Sequence, residues 1–156
     1  MSRRGQIIMS DEEVRDFLKS AKTMILVSNG KDGYPHPMPM WFYVDDDGVV
    51  YMSTFRKSQK VYNLQRDPKV SLLAEAGEAY QELQGVVIYS DAEIIDDLET
   101  TKRTMYNVSI SRGDASSDQP DVVMGALERT ASKRVTLKFK PSKIVSWDHR
   151  KLGGVY

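Results

Sequence analysis

Tyr34-Pro35-His36-Pro37-Met38-Pro39-Met40-Trp41-Phe42 decides how this chain folds. Prolines at 35, 37 and 39 are spaced by two. In an extended strand successive N–H groups point to opposite edges, so the three missing donors fall on one edge. That edge cannot form an ordinary ladder, while the N–H groups of His36, Met38 and Met40 remain free to pair on the other. A sheet that stops pairing here has a gap, and a gap in a barrel wall admits a flat ligand. An edge strand protected against aggregation carries the same pattern, and the strand alone leaves that alternative open. By alternation, His36, Met38, Met40, Phe42 and Val44 share one face, and Trp41 and Tyr43 the other.

Before it, Thr23–Ser28 is a compact apolar run suited to a buried strand, and the Asn29–Gly33 turn returns the chain antiparallel. After it, Asp45-Asp46-Asp47-Gly48 leads to a strand over Val49–Thr54. Asp45–Asp47 reads as turn chemistry rather than a metal loop. A two-turn helix over Ser58–Arg66 ends before Pro68, with Val61 and Leu64 inward. Lys69–Ala76 is a strand, and Tyr80–Ile95 a long one bending near Gly85. Helices follow from Asp96-Asp97, carrying Leu98, Met105, Val108 and Ile110, and from Pro120-Asp121. Val135–Phe139 alternates as the sixth strand, and Ile144–Trp147 closes the sheet. Residues 1–22 form the N-terminal helical segment, its helix opening at the Ser10/Glu13 capping box, and 111–119 is a loop. The whole, 1–156, reads as a single domain of the α+β class, mainly β: a six-stranded antiparallel barrel with flanking short helices.

With 156 residues, the chain is long enough to bury a core, and 22 basic side chains balance 22 acidic ones. That balance gives no overall pull toward nucleic acid. Cysteine is absent and histidine occurs only at 36 and 149, so thiolate chemistry and imidazole-rich metal sites drop out. No apolar run approaches the ~20 residues of a membrane span, and the opening residues lack a secretory core. The expectation is a cytoplasmic protein. No Ser/His/Asp triad or acid–base set stands out, so no catalytic residue is assigned, as suits a cofactor that brings its own reactivity.

Tyr51–Lys60 runs from a strand end into a helix start. Ser53 and Thr54 offer hydroxyls, Arg56, Lys57 and Lys60 offer cations, and Ser58 stands where a helix cap belongs. Hydroxyls, cations and a helix N-terminus together suit a phosphate monoester.

Taken in order, several stretches resemble a known family. They are Thr23-Met24-Ile25-Leu26-Val27, Pro39-Met40-Trp41-Phe42, Tyr51-Met52-Ser53-Thr54, Ser58-Gln59-Lys60-Val61-Tyr62-Asn63-Leu64-Gln65-Arg66-Asp67-Pro68 and Leu83-Gln84-Gly85-Val86-Val87-Ile88. Together they resemble the pyridoxamine 5′-phosphate oxidase-like, FMN-binding split barrels. The Lys60–Val70 segment and the ending Ser146–Gly154 are similar to the flavin/deazaflavin (F420) oxidoreductase branch. The resemblance implies a split barrel, a homodimer with the cofactor at its interface, and a small-molecule substrate.

It also implies that Met38, Pro39, Met40 and Trp41 lie along the ring, and that Ser53 and Thr54 contact the ribityl chain or phosphate. Ser58-Gln59-Lys60 would form the phosphate clamp, and Gln84 would reach in from the long strand. Gln59 stands where the family carries arginine, and Arg56 or Lys57 would supply the missing charge. Trp147 and Arg150 would close the pocket from the C-terminus.

The function implied is a flavoprotein oxidoreductase moving hydride to or from a small conjugated substrate. FMN and coenzyme F420 share the phosphate end, and the sequence leaves the choice open. A non-catalytic carrier of flavin, haem or tetrapyrrole is the alternative, with His36 or His149 as the only axial ligands a haem would find.

Overall fold

The computed structural model describes residues 3–116, 118 and 120–154. Ser10 accepts the Glu13 N–H, and the Glu13 carboxylate accepts the Ser10 N–H at 2.6 Å. This reciprocal box opens α2 (Asp11–Ser20), which buries Val14, Phe17 and Leu18. The N-terminal segment is thus two helices, with a short α1 (Arg3–Gln6) set apart from α2. The residues between are held extended against the far end of the chain. Ile7 accepts the Asp148 N–H at 2.7 Å, and the Met9 N–H donates to Ser146 Oγ at 3.1 Å.

The strands are β1 (Met24–Asn29), β2 (Pro35–Met40), β3 (Tyr43–Val44), β4 (Val50–Phe55), β5 (Lys69–Ala76), β6 (Gln84–Ile95), β7 (Arg134–Phe139) and β8 (Lys143–Asp148). All pairings are antiparallel, in the order β2-β1-β5-β6-β7-β4-β3, with β8 added to β6. β6 is the pivot. Residues 84–89 lie between β5 and β8, whereas 92–95 pair with β7. One strand therefore passes between two ladders, and the sheet curls into a half-barrel around Met24, Leu26, Phe42, Met52, Leu72 and Phe139.

The class is the α+β split barrel expected, but among the described residues the sheet has eight strands rather than six. The run 34–44 breaks at Trp41-Phe42 into β2 and β3, where the chain leaves its ladder with β1 and takes up pairing with β4; Phe42 stays in the core at 1% exposure. Lys143–Asp148 also makes a full ladder with β6. The long strand starts at Gln84, Tyr80–Glu82 being a 3-10 turn. Asp45 Oδ1 accepts the N–H groups of Asp47 and Val49, which fits the turn reading of that loop.

α3 (Gln59–Arg66) buries Val61 and Leu64 as expected, together with Lys60 and Asn63. α4 (Leu98–Arg112) buries Val108, but its other buried residues are Thr101, Lys102 and Thr104. Thr101 and Thr104 sit 3.5 and 3.0 Å from Thr136 Oγ1, whereas Leu98 remains exposed. α4 extends through Arg112 and is capped by Gly113 at φ 78°, so the loop expected over 111–119 starts later; positions 117 and 119 lie outside the described residues. α5 (Pro120–Ala131) packs on α4. No helix among the described residues is long and apolar enough to cross a membrane.

Candidate functional site

β2 is the terminal strand of the sheet, and its pairs Met24–Met40, Leu26–Met38 and Ser28–His36 place the proline-free N–H groups toward β1. The proline edge faces outward. Across from it runs the free edge of β4, which β3 covers only at Val50 and Tyr51. Between the two lies a cleft of about 190 Å³ lined by Pro39, Met40, Trp41, Ser53, Thr54 and Arg134. The fold thus brings Pro39, Met40 and Trp41, which the resemblance expects along a ring, together with Ser53 and Thr54. Met38 is half-buried one pair further along β2. Trp41 is 59% exposed, with the Arg112 guanidinium 4.0 Å above its ring.

Lys60 is buried behind this cleft, and its ammonium donates to Thr54 Oγ1 at 2.9 Å. Ser58 stands at the N-cap of α3 but does not cap it with its side chain. Its hydroxyl lies 3.5 Å from Thr54 Oγ1 instead. Burial pushes the Lys60 ammonium below the ordinary lysine value of 10.5, and the Arg134 charge pushes it further. Burial also lowers Arg134, whose guanidinium rests 4.2 Å over the Phe55 ring. Arg134 Nε and Ser53 Oγ are both buried without a hydrogen-bond partner. Among the described residues neither cation has a carboxylate partner. Two partly desolvated cations, Lys60 and Arg134, and the spare Ser53 hydroxyl at one edge are chemically suited to an anion.

The other predicted residues lie elsewhere. Arg56 does not stand in for the missing arginine, because it makes a fork on Asp96 at 2.8 and 2.6 Å and its charge is already met. Asp96, in turn, is held below the usual carboxylate range by that guanidinium. Lys57 is exposed. Gln59 donates to Asn63 Oδ1 at 2.9 Å and faces a separate hollow beside Tyr34 and His36. Gln84 donates to Asp148 Oδ2 at 3.2 Å, in another hollow with Glu13 and Arg150, and does not reach the cleft within its own chain. Arg150 forks onto Asp148 at 2.9 and 2.8 Å, and Trp147 lies over Gly85. His149 Nδ1 is 2.8 Å from the Tyr80 carbonyl.

Another hollow, of about 360 Å³, lies along Val27, Val70 and Tyr89. Its Lys69 is already 3.5 Å from Asp91. The residue that sequence reading missed is Arg134. Lys133-Arg134 ahead of an alternating strand resembles many solvated strand ends, so its signal was slight.

The family described as pyridoxamine 5′-phosphate oxidase matches residues 10–148. Among solved structures, a conserved hypothetical protein from Mycobacterium tuberculosis is 37% identical, with a TM-score of 0.85 over 97% of this chain and 92% of that one. An F420 reductase is similar at 19% identity and a TM-score of 0.61, over 84% of this chain and 94% of that one. The haem storage protein HutZ from Vibrio cholerae is similar at 16% identity and a TM-score of 0.66, over 88% and 94%. These last two likenesses show the shared fold. No curated protein matches.

Proposed function

This chain belongs to the pyridoxamine 5′-phosphate oxidase family, and from that premise we propose that it is a flavin- or deazaflavin-dependent oxidoreductase acting on a small conjugated organic substrate. The observation that carries the reading is the buried, unneutralised cationic corner beside the open seam. Among the described residues Ser53 Oγ and Arg134 Nε are spare and Lys60 has only a neutral hydroxyl as partner, while the proline edge keeps β2 from closing the gap. These residues fit the phosphate and ribityl end of FMN or F420. When bound, such a ring accepts or gives hydride at its central atoms. The chain holds the phosphate through Lys60 and Thr54 and presents Pro39, Met40 and Trp41 along the seam. It leaves a further wall to be supplied, and a second copy covering exposed Trp41 and Phe55 is the proposed source.

A haem or tetrapyrrole carrier has less support. His36 faces the hollow beside Gln59, and the His149 ring packs 4.5 Å from Tyr80, so neither imidazole lines the cleft.

Absorbance and mass of the small molecule that co-purifies with the protein test the proposal. A yellow, fluorescent sample supports FMN, and a colourless one that takes up F420 supports the deazaflavin. A sample that takes up neither but shows a haem Soret band would reverse the reading. Affinity is also expected to depend on pH. The protonated Lys60 is the form that binds phosphate, and its pKa is lowered, so affinity falls as pH rises through a value below 10.5. In Lys60→Arg the loss moves to higher pH, since guanidinium stays charged. A titration that stays flat up to the ordinary lysine range in the parent protein would show that Lys60 does not touch the phosphate.

A further inference from the structure

Phe55 and Arg134 are cross-strand partners in the β4–β7 ladder, as are Thr54 and Val135, and Ser53 and Thr136. Partners in an antiparallel ladder share a face and neighbours along a strand alternate. Ser53 and Arg134 therefore occupy one face of this ribbon. Thr54, with the Lys60 ammonium bound to it, occupies the other. Beyond Tyr51 the outer edge of β4 is free of β3. Two cations thus approach one open strand edge from opposite faces, and the cleft is at that edge.

Arg134 is built to stay charged there. Phe55 replaces water on one side of its guanidinium at 4.2 Å, yet its Nε has no acceptor. Holding two such cations near each other without a counter-ion raises the free energy of the empty protein, and an arriving anion removes that cost. We infer that Arg134 is the second arm of the phosphate clamp, gripping the cofactor's phosphate opposite Lys60 and doing the work of the arginine replaced by Gln59. The inference rests on the reading of the seam as the cofactor site. Arg56 is a positioning residue in this scheme. It donates to the carbonyls of Ser132 and Arg134 at 3.0 and 3.3 Å while Asp96 neutralises it, and so fixes the backbone from which Arg134 projects.

The test titrates the wild type, Arg134→Gln, Arg134→Lys and Lys60→Ala with FMN, F420 and riboflavin, which lacks the phosphate. Thermal shifts in inorganic phosphate, against chloride at equal ionic strength, are measured alongside. Arg134→Gln is expected to raise the Kd of whichever phosphorylated ring the protein binds by about ten- to a hundredfold, the range for hydrogen bonds to charged groups. Riboflavin affinity should stay unchanged, and Arg134→Lys should recover part of the loss. Equal weakening of FMN and riboflavin would mean Arg134 is merely structural and would overturn the inference.

Unchanged FMN and F420 binding in Arg134→Gln, with loss in Lys60→Ala, would overturn it too but leave the seam reading intact. If the wild type takes up no phosphorylated ring, the seam reading fails and the inference falls with it. Where a ring does bind, stabilisation by inorganic phosphate that Arg134→Gln abolishes supports the clamp, and its persistence in Arg134→Gln overturns it.

Discussion

Lys60→Ala is expected to weaken binding of the phosphorylated ring by about 1.5–3 kcal/mol, the range for hydrogen bonds to charged groups, while the empty protein melts at almost the same temperature. The two halves of this expectation have separate causes. If the cleft takes a phosphate as proposed, the ammonium would make a charge-assisted hydrogen bond to it that alanine cannot replace. In the empty state Lys60 is 8% exposed, its only described hydrogen bond goes to the Thr54 hydroxyl, and its neighbour Arg134 repels it. Deleting a desolvated, unpaired cation removes a penalty that offsets the lost methylene packing. Alanine also suits the first turn of α3. Calorimetric titration and a melting curve read the two halves independently. A dissociation constant within twofold of the parent would take Lys60 out of the site, and a collapse in melting temperature would make it a structural residue.

A large stability effect is expected at Gly85, which does not line the cleft. Gly85 pairs with Trp147 across β6 and β8, and a Cβ there would sit 2.1 Å from the indole Cζ2. The collision is with a ring rather than the end of a flexible chain, so the indole must tilt or the strands must part. Overpacking of this kind costs about 1–3 kcal/mol. At this chain length each kcal/mol lowers the melting temperature by about 2–4 °C. Gly85→Ala should therefore melt several degrees lower, with Gly85→Val lower still. In a Trp147→Ala background the same Gly85→Ala change should cost little, because the ring that it strikes is gone. An additive pair of costs would show that the glycine serves the strand backbone rather than the indole.

Much of this fold was legible because its signals are local. The Ser10/Glu13 box, the Asn29–Gly33 turn and the alternation in Val135–Phe139 each report on neighbours within a few residues, and the corresponding elements formed. The three prolines told which edge of β2 would stay unpaired, since a missing donor needs no tertiary context. What failed was information about distant partners. Arg56 looked available until Asp96, forty positions on, took its fork. Arg134 looked like a solvated strand end until the β4–β7 register set it beside Phe55. The face of α4 misled for a different reason. Its threonines satisfy one another's hydroxyls around Thr136, so polar side chains are buried where hydropathy favours Leu98. Counting the charges near the clamp could not tell which were already neutralised; only the pairing could.

Crystals of the protein soaked separately with FMN and with F420 decide whether the seam holds the cofactor. A phosphate is expected between Lys60 and Arg134 at the free edge of β4, with the ring laid along Pro39–Trp41. A seam filled by the chain's own side chains, or a ring bound in another hollow with the Lys60–Arg134 corner empty, would contradict it.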